Sequence, residues 1–384
     1  MVCVLLIKGG KIHNAIDRES FIADILVKNG KIETIGTDIV AEDATVIDAS
    51  GKEIYPGFID AHCHIGLSGL YGVGKDANEV NERNDITSPH LRAIDAIDPT
   101  DRCFEFAREA GVTCVCTGPG SLNVLGGTFA AIKTVGKRVD SMAVKTETAM
   151  KCAFGENPKN GYLTKTATTR MTTTAILRDI LTRAKRYQVQ YDAAEGDTSK
   201  LPAFDIKLHS LLPVMRGDMP LKAHAHQAND IFTALRIAEE FGLKLTLEHV
   251  TEGHLIADEL AKTGVYMAVG PSMMGASKYE LRNKSWTTPA ALVDAGCHVC
   301  IITDSPVTGQ QYLPICAAFA IRAGLDPFYA LKAITINAAE HIGIADRVGS
   351  IEKGKDADIV ITNGSPFEIA TLVEHVIIDG QIVK

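Results

Sequence analysis

The sequence predicts an α/β protein: a (β/α)8 TIM-type barrel with a small β-sandwich domain built from both termini. Three observations predict this. Through the middle of the chain, eight short apolar runs alternate with amphipathic stretches, the pattern of strands followed by helices. Both ends read as short β-hairpins, and neither carries enough apolar surface to stand alone. At 384 residues the chain also exceeds a typical single core. The expected division is 1–55 and 351–384 for the two parts of the sandwich and 56–350 for the barrel.

At the N-terminus, MVCVLLIKGG holds an apolar run of only six residues, lacks a cleavage site, and reads as a first strand and not a signal peptide. ILVKNGKIETIG is two alternating runs around Asn29-Gly30, a strong hairpin signal. ATVIDASGKEIYPG repeats the pattern around Ser50-Gly51. The C-terminal DADIVITNG and VEHVIIDGQIVK match it, with Asp379-Gly380 as the turn.

The barrel strands are expected in GFIDAHCHI, GVTCVCTGP, VDSMAVK, AMKCAFGE, LKAHAHQ, LKLTLEHV, GVYMAVGP and HVCIITDS. Of the amphipathic stretches between them, NDIFTALRIAEEFG and EGHLIADELAKTG each end on a glycine, a common helix stop. The third and fourth candidates crowd together at 139–154. Residues 156–204 hold a Thr-rich stretch, a helix near 172–189 and the polar insertion YDAAEGDTSKLP, read as a surface loop or lid. GPGSLNVLGGTFAAIKT, 118–134, is Gly-rich but lacks the phosphate-loop and dinucleotide patterns, and is expected to shape a substrate pocket.

Composition narrows the function classes. The net charge of −8 argues against a nucleic-acid binder, which wants a basic face. No apolar run is long enough to cross a bilayer. Nine cysteines scattered in apolar segments suit reduced thiols in a cytoplasm. Cys297 and Cys300 form C-x-x-C without a second pair, and are expected in the core.

The chemistry sits at the strand ends. In PGFIDAHCHIG, alternation puts Asp60, His62 and His64 on one face and Ile59, Ala61 and Cys63 on the other. Two imidazoles with a carboxylate suggest a metal ion. Glu156, His224, His226, His249 and Asp304 fall at the ends of other predicted strands, where barrel active sites lie. Each has a bland alternative. His62 and His64 could be an ordinary buried pair, His249 a core histidine, Asp304 a helix cap and Glu156 an idle loop carboxylate. Their convergence on one barrel mouth favours function. His209, His298, His341 and His375 are assigned no role. Asn157, Ser305 and Gln310 lie on loops at the active end.

PGFIDAHCH, the strand-end histidines of KAHAH and LEHVTEGH, the Asp of ITDS and the tail VGSIEKGKDADIVITN resemble the amidohydrolase superfamily over nearly the whole chain. Within it, the sequence is most similar to the imidazolonepropionase-related and prolidase-like branches. The resemblance implies a distorted (β/α)8 barrel with one or two divalent metal ions, zinc first among them. It implies His62, His64, His224 and His249 as ligands, and Asp304 as the carboxylate that touches metal and shuttles the proton. His224 fits the K-x-H-A pattern, which leaves His226 as a substrate contact or an outer support. His254, after VTEG, is expected to open a helix and to face either the site, as a further substrate contact, or solvent. Many binuclear members bridge their metals with a carbamylated lysine. Lys151 falls early on its expected strand, so Glu156 is expected as the ligand and the metal count stays open. Asp60 is expected either to fix an imidazole or to form a structural salt bridge.

The implied reaction is hydrolysis of a C–N bond that is not an ordinary internal peptide bond, in a cyclic amide, imidazolone-like, N-acyl or dipeptide substrate. Deamination and prolidase-like dipeptide cleavage are the alternatives, and a non-catalytic barrel scaffold comes last because the ligand set is complete. H-E-x-x-H is absent, against a zinc metalloprotease. The expected partner is a small molecule, with no nucleic acid or membrane and with homo-oligomerisation left open. An acidic substrate would need a basic residue at the mouth, and Arg83, Lys133, Lys159 and Arg170 are candidates.

Overall fold

The computed structural model describes residues 4–68, 78–162 and 168–384. The first residues of the N-terminal apolar run and positions 163–167 of the Thr-rich stretch lie outside the described residues.

Five strands open the chain: β1 (Val4–Ile12), β2 (Phe21–Lys28), β3 (Lys31–Gly36), β4 (Thr45–Asp48) and β5 (Glu53–Pro56). The barrel follows with β6 (Phe58–Cys63), β7 (Val112–Thr117), β8 (Leu125–Lys133), β9 (Ala143–Ala153), β10 (Leu221–Ala225), β11 (Leu245–His249), β12 (Tyr266–Val269) and β13 (Val299–Ile301). β14 (Ile359–Thr362), β15 (Val373–Ile378) and β16 (Gln381–Ile382) close the chain.

The two ends meet in one eight-stranded sheet. β14 pairs antiparallel with β5, Ile361 opposite Ile54, and so joins the C-terminal strands to β1 and β2. Alternating side chains from both ends, among them Ile7, Ile25, Ile54, Ile359 and Ile377, bury one shared apolar core. Asn29-Gly30 and Asp379-Gly380 both have positive φ throughout, as a tight hairpin turn with the right twist requires. Ser50-Gly51 is not a hairpin, because β4 and β5 both run parallel to β1 and do not pair with each other. Lys133 is buried with Asp358 at 2.7 Å and Asp356 and Asp379 at 3.2 Å each. It thus ties β8 to the terminal sheet and is no part of a substrate pocket.

The second sheet runs β6 to β13 in chain order and nearly closes. At the seam, Asp304 N donates to His62 O at 3.2 Å and His64 N donates to Ser305 O at 2.7 Å. The barrel is distorted in one place. β7, β8 and β9 run antiparallel, and the other neighbours are parallel. The Gly-rich stretch expected as a pocket loop is irregular over 118–124, where Gly120 and Ser121 line the mouth cavity, and becomes β8 from Leu125, while the crowded third and fourth candidates meet in one long strand, β9. Every residue of β8 is buried. A Cβ at Gly127 would lie 2.3 Å from Leu91 O, with φ at +103°, so only glycine fits there. The glycines that suggest a loop are what let this strand pack on both faces.

The helix Arg170–Ala193 is capped by Thr169 and takes in the first three residues of the polar insertion expected as a loop, and the rest of that insertion carries a short 3-10 turn, Thr198–Lys200. The helix Ala228–Phe241 stops at Gly242 in the left-handed region, as its sequence indicates. Among the described residues, no helix is long and apolar enough to cross a membrane.

Candidate metal centre and active site

β6 carries the first two histidines, and a bulge aims them. Its register against β7 slips between Asp60 and Cys63, so one extra residue breaks the alternation. Ile59 and Ala61 lie in one apolar cluster with Phe129, the ring against which His62 packs, while Phe58 and Cys63 lie in another. Asp60 therefore does not share the direction of His62 and His64. Its Oδ2 accepts from Thr303 N, Thr303 Oγ1 and Gln310 Nε2 at 3.2, 2.5 and 2.7 Å, and Oδ1 accepts from His62 N. Asp60 fixes no imidazole; it straps β6 to the segment that bears Asp304. Burial pushes its carboxyl up to about 6.

Five imidazoles gather at the mouth. The rings of His62 and His64 lie 5.4 Å apart, His62 and His249 5.1 Å, His224 and His249 4.4 Å, and His224 and His226 4.6 Å. Two groups have ligand atoms within 4.8 Å of one another: His62, His64 and Asp304, and His224, His226 and His249. His249, the last residue of β11, and Asp304, three residues beyond β13, both have positive φ, 75° and 52°, a strained backbone that turns each side chain inward.

The ring nitrogens are sorted. Nδ1 of His62 meets Glu248 Oε2 at 2.9 Å, that of His64 meets Gly118 O at 2.7 Å, that of His249 meets Gly270 O at 2.8 Å, and that of His226 meets Thr251 Oγ1 at 2.7 Å. A carbonyl or carboxylate can only accept, so Nδ1 of the first three donates, and a neutral ring then presents its Nε2 lone pair. Both carbonyls belong to glycines with no room for a side chain. A Cβ on Gly118 would lie 2.4 Å from the Phe129 ring, and one on Gly270 2.3 Å from Ile302 O.

Burial holds His62, His224 and His226 well below the ordinary imidazole range and His249 at about 4. Burial raises the Asp304 carboxyl, but the facing imidazoles outweigh it and leave it well below the usual range. Asp304 Oδ1, buried and without a hydrogen-bond donor, lies 3.1 Å from His64 Nε2. Two lone pairs at that distance need a cation or a proton between them. His224 Nδ1 is likewise buried and unpartnered. These residues fit a metal ion.

The structure separates the two candidate bridging groups. Lys151 is fully buried, with Nζ 3.3 Å from His62 Nε2. Burial pulls its amine down to about 8. Glu156 opens a short helix beyond β9, and its Oε1 accepts from Glu280 N at 3.2 Å; it belongs to neither group. Lys151, on β9, is thus the one of the two that stands beside a histidine of the groups, and Glu156 lies beyond the strand. His226, expected outside the ligand set, stands within the second group. His254 is not brought to the site: its Nδ1 lies 2.9 Å from Thr288 Oγ1, and it does not line the cavity at the mouth.

A buried charged layer beneath the histidines is absent from the sequence reading. Glu248 Oε2 takes Lys222 Nζ at 2.9 Å as well as His62, and Oε1 meets His341 Nε2 at 2.8 Å and Thr246 Oγ1 at 2.9 Å. Burial raises Glu248, yet Lys222 and His341 outweigh it and leave it well below the ordinary range. The alternation of Lys222 and His224 on β10, continued by His226 just beyond it, signals this layer, as does the polar pair Thr246 and Glu248 on β11.

The fold and site together define a barrel protein with a buried, histidine-rich candidate metal centre at the ends of its strands. The chain belongs to the amidohydrolase family, whose model matches residues 54–383, a family of metal-dependent hydrolases acting on carbon–nitrogen bonds. It is 40% identical to an amidohydrolase from Thermotoga maritima MSB8 of known crystal structure, with a TM-score of 0.95 over 99% of each chain. It is 29% identical to amidohydrolase tasK of Hapsidospora irregularis over 94% of this chain, and spans 40% of that protein's length. It is 25% identical to the imidazolonepropionase of Symbiobacterium thermophilum, over 88% of this chain and 83% of the relative.

Proposed function

We propose that this protein hydrolyses a C–N bond of a small molecule, outside ordinary internal peptide bonds, at a centre of two divalent cations, zinc first. The observation that supports it is the sorted imidazoles, with Asp304 Oδ1 and His64 Nε2 facing each other at 3.1 Å. His62, His64 and Asp304 would hold one ion, and His224 with His249 or His226 the other. Lys151 stands beside His62 for the bridging role that a carbamylated lysine fills in related enzymes. An amine pulled down to about 8 is available uncharged near neutral pH, as carbamate formation needs.

Bound cations would supply a nucleophile from water at neutral pH and polarise the scissile carbonyl. The chain's own part is to orient and to move protons. Asp304 takes the proton of the attacking water and returns it to the leaving nitrogen. Glu248, Gly118 and Gly270 hold the imidazoles in one tautomer. The cavity, about 310 Å³, admits a small substrate and no folded chain.

The test is a hydrolysis screen of metal-loaded protein over lactams, imidazolones, N-acyl amino acids, dipeptides and aminopurines, with metal analysis and His62→Asn as the blank. Turnover of at least one class by the parent, with loss of metal and turnover in His62→Asn, is expected. Unchanged metal content in that variant would remove the ligand assignment.

A further inference from the structure

None of the four basic residues singled out from the sequence lines the cavity at the barrel mouth. Lys133 is locked into the aspartates of the terminal sheet, and Arg170 pairs with Asp230 at 2.8 Å. Among the described lining residues, the one lysine or arginine is Lys278, on the irregular segment after β12.

An ammonium has three N–H donors. Lys278 forms an ion pair with Glu280 Oε1 at 2.5 Å and donates to Asn157 Oδ1 at 2.9 Å. No described residue takes the third, and 23% of the side chain is exposed. Asn157 is itself anchored, its amide donating to Ser121 Oγ at 2.6 Å. Glu280 is fully buried, 3.8 Å from His224 Nε2 and 3.7 Å from His226 Nε2. One carboxylate oxygen therefore separates the ammonium from the nitrogens of the second histidine group. A ligand that touches both has its two contact points only a few bonds apart.

On this side of the cavity Lys278 offsets the Glu280 carboxylate and is the one fixed cationic side chain among the described lining residues. Met274, Pro271 and Val307 form an apolar side suited to an acyl group or a hydrocarbon side chain. We propose that Lys278 recognises a carboxylate of the substrate, so that the substrate is a small amide with a free carboxylate a few bonds from the scissile C–N bond. N-acyl amino acids and dipeptides have this form. The assignment rests on the hydrolase reading of the same cavity.

The test uses intact metal-loaded protein and matched pairs: N-acetyl amino acids and dipeptides, each beside its C-terminal amide. Binding is read by calorimetry and hydrolysis by kcat/KM. A charge-assisted hydrogen bond predicts a preference for the acid of about tenfold to a hundredfold. In Lys278→Met the preference should collapse, and in Lys278→Arg it should largely persist. Because Lys278→Met strands the Glu280 charge, Lys278→Met with Glu280→Gln repeats the comparison in a neutral background. Equal binding of acid and amide by the parent overturns the assignment, as does no binding of any acid, or a preference that survives both methionine variants. Acids that bind with preference yet are never cleaved would instead refute hydrolysis of this class and leave Lys278 in its role.

Discussion

Glu248 Oε2 and His62 Nδ1 lie 2.9 Å apart, with both side chains fully excluded from solvent. The same carboxylate carries Lys222 and His341, so it both sets the tautomer of a candidate ligand and neutralises a buried cation. Glu248→Gln should cost about 3–5 kcal/mol of stability, because it leaves the Lys222 charge without its partner. It should also weaken metal retention about tenfold or more. Urea unfolding and metal competition measure the two effects, and an unchanged urea midpoint would show that the layer contributes no stability.

The glycine carbonyls that orient His64 and His249 make a second prediction. Gly118→Ala and Gly270→Ala each force a Cβ to within 2.4 Å and 2.3 Å of fixed atoms. Each should cost about 1–3 kcal/mol and lower turnover by moving the carbonyl. Gly36→Ala, where nothing lies within 4 Å, serves as the control and should leave both unchanged.

Lys151 and Glu156 are distinguished by substitution. Lys151→Met should lower bound metal and abolish most turnover, while Glu156→Gln should keep the metal. Elemental analysis of the two purified variants decides between them, and the reverse outcome would restore Glu156 to the ligand set.

Asp60 gives a pH signature. Its folded-state carboxyl is raised to about 6 from an ordinary 3.8, so between those values the folded chain binds more protons than the unfolded one. Stability from this group is full below about 4 and declines as pH rises through about 6. Asp60→Asn lacks that titration. In metal-free protein, the difference in urea midpoint between parent and variant should change across this window. A constant difference would mean that Asp60 is not raised.

The sequence made legible whatever follows a simple period. Polar residues at strand ends revealed His62, His64, His224, His249 and Asp304, and Asn-Gly and Asp-Gly marked two terminal turns. Single-residue exceptions hid the rest. The bulge after Asp60 reverses the parity that alternation assumes, so Asp60 turned to Thr303 and Gln310 instead of to an imidazole. Gly126 and Gly127 look like a loop until Leu91 is seen against them. Lys222 and Glu248 were passed over because a buried charge is identified by a partner distant in sequence. Lys278 sits in irregular chain, where no periodicity aims a side chain.

The pairing of β5 with β14 has a consequence for synthesis. A growing chain presents β5 some three hundred residues before the strand that covers its free edge. Until then that edge is open to any stray strand, and only Gly57 separates it from the segment bearing His62. The last strands thus act as a latch, and a product released without them would leave an adhesive margin beside an assembled catalytic mouth.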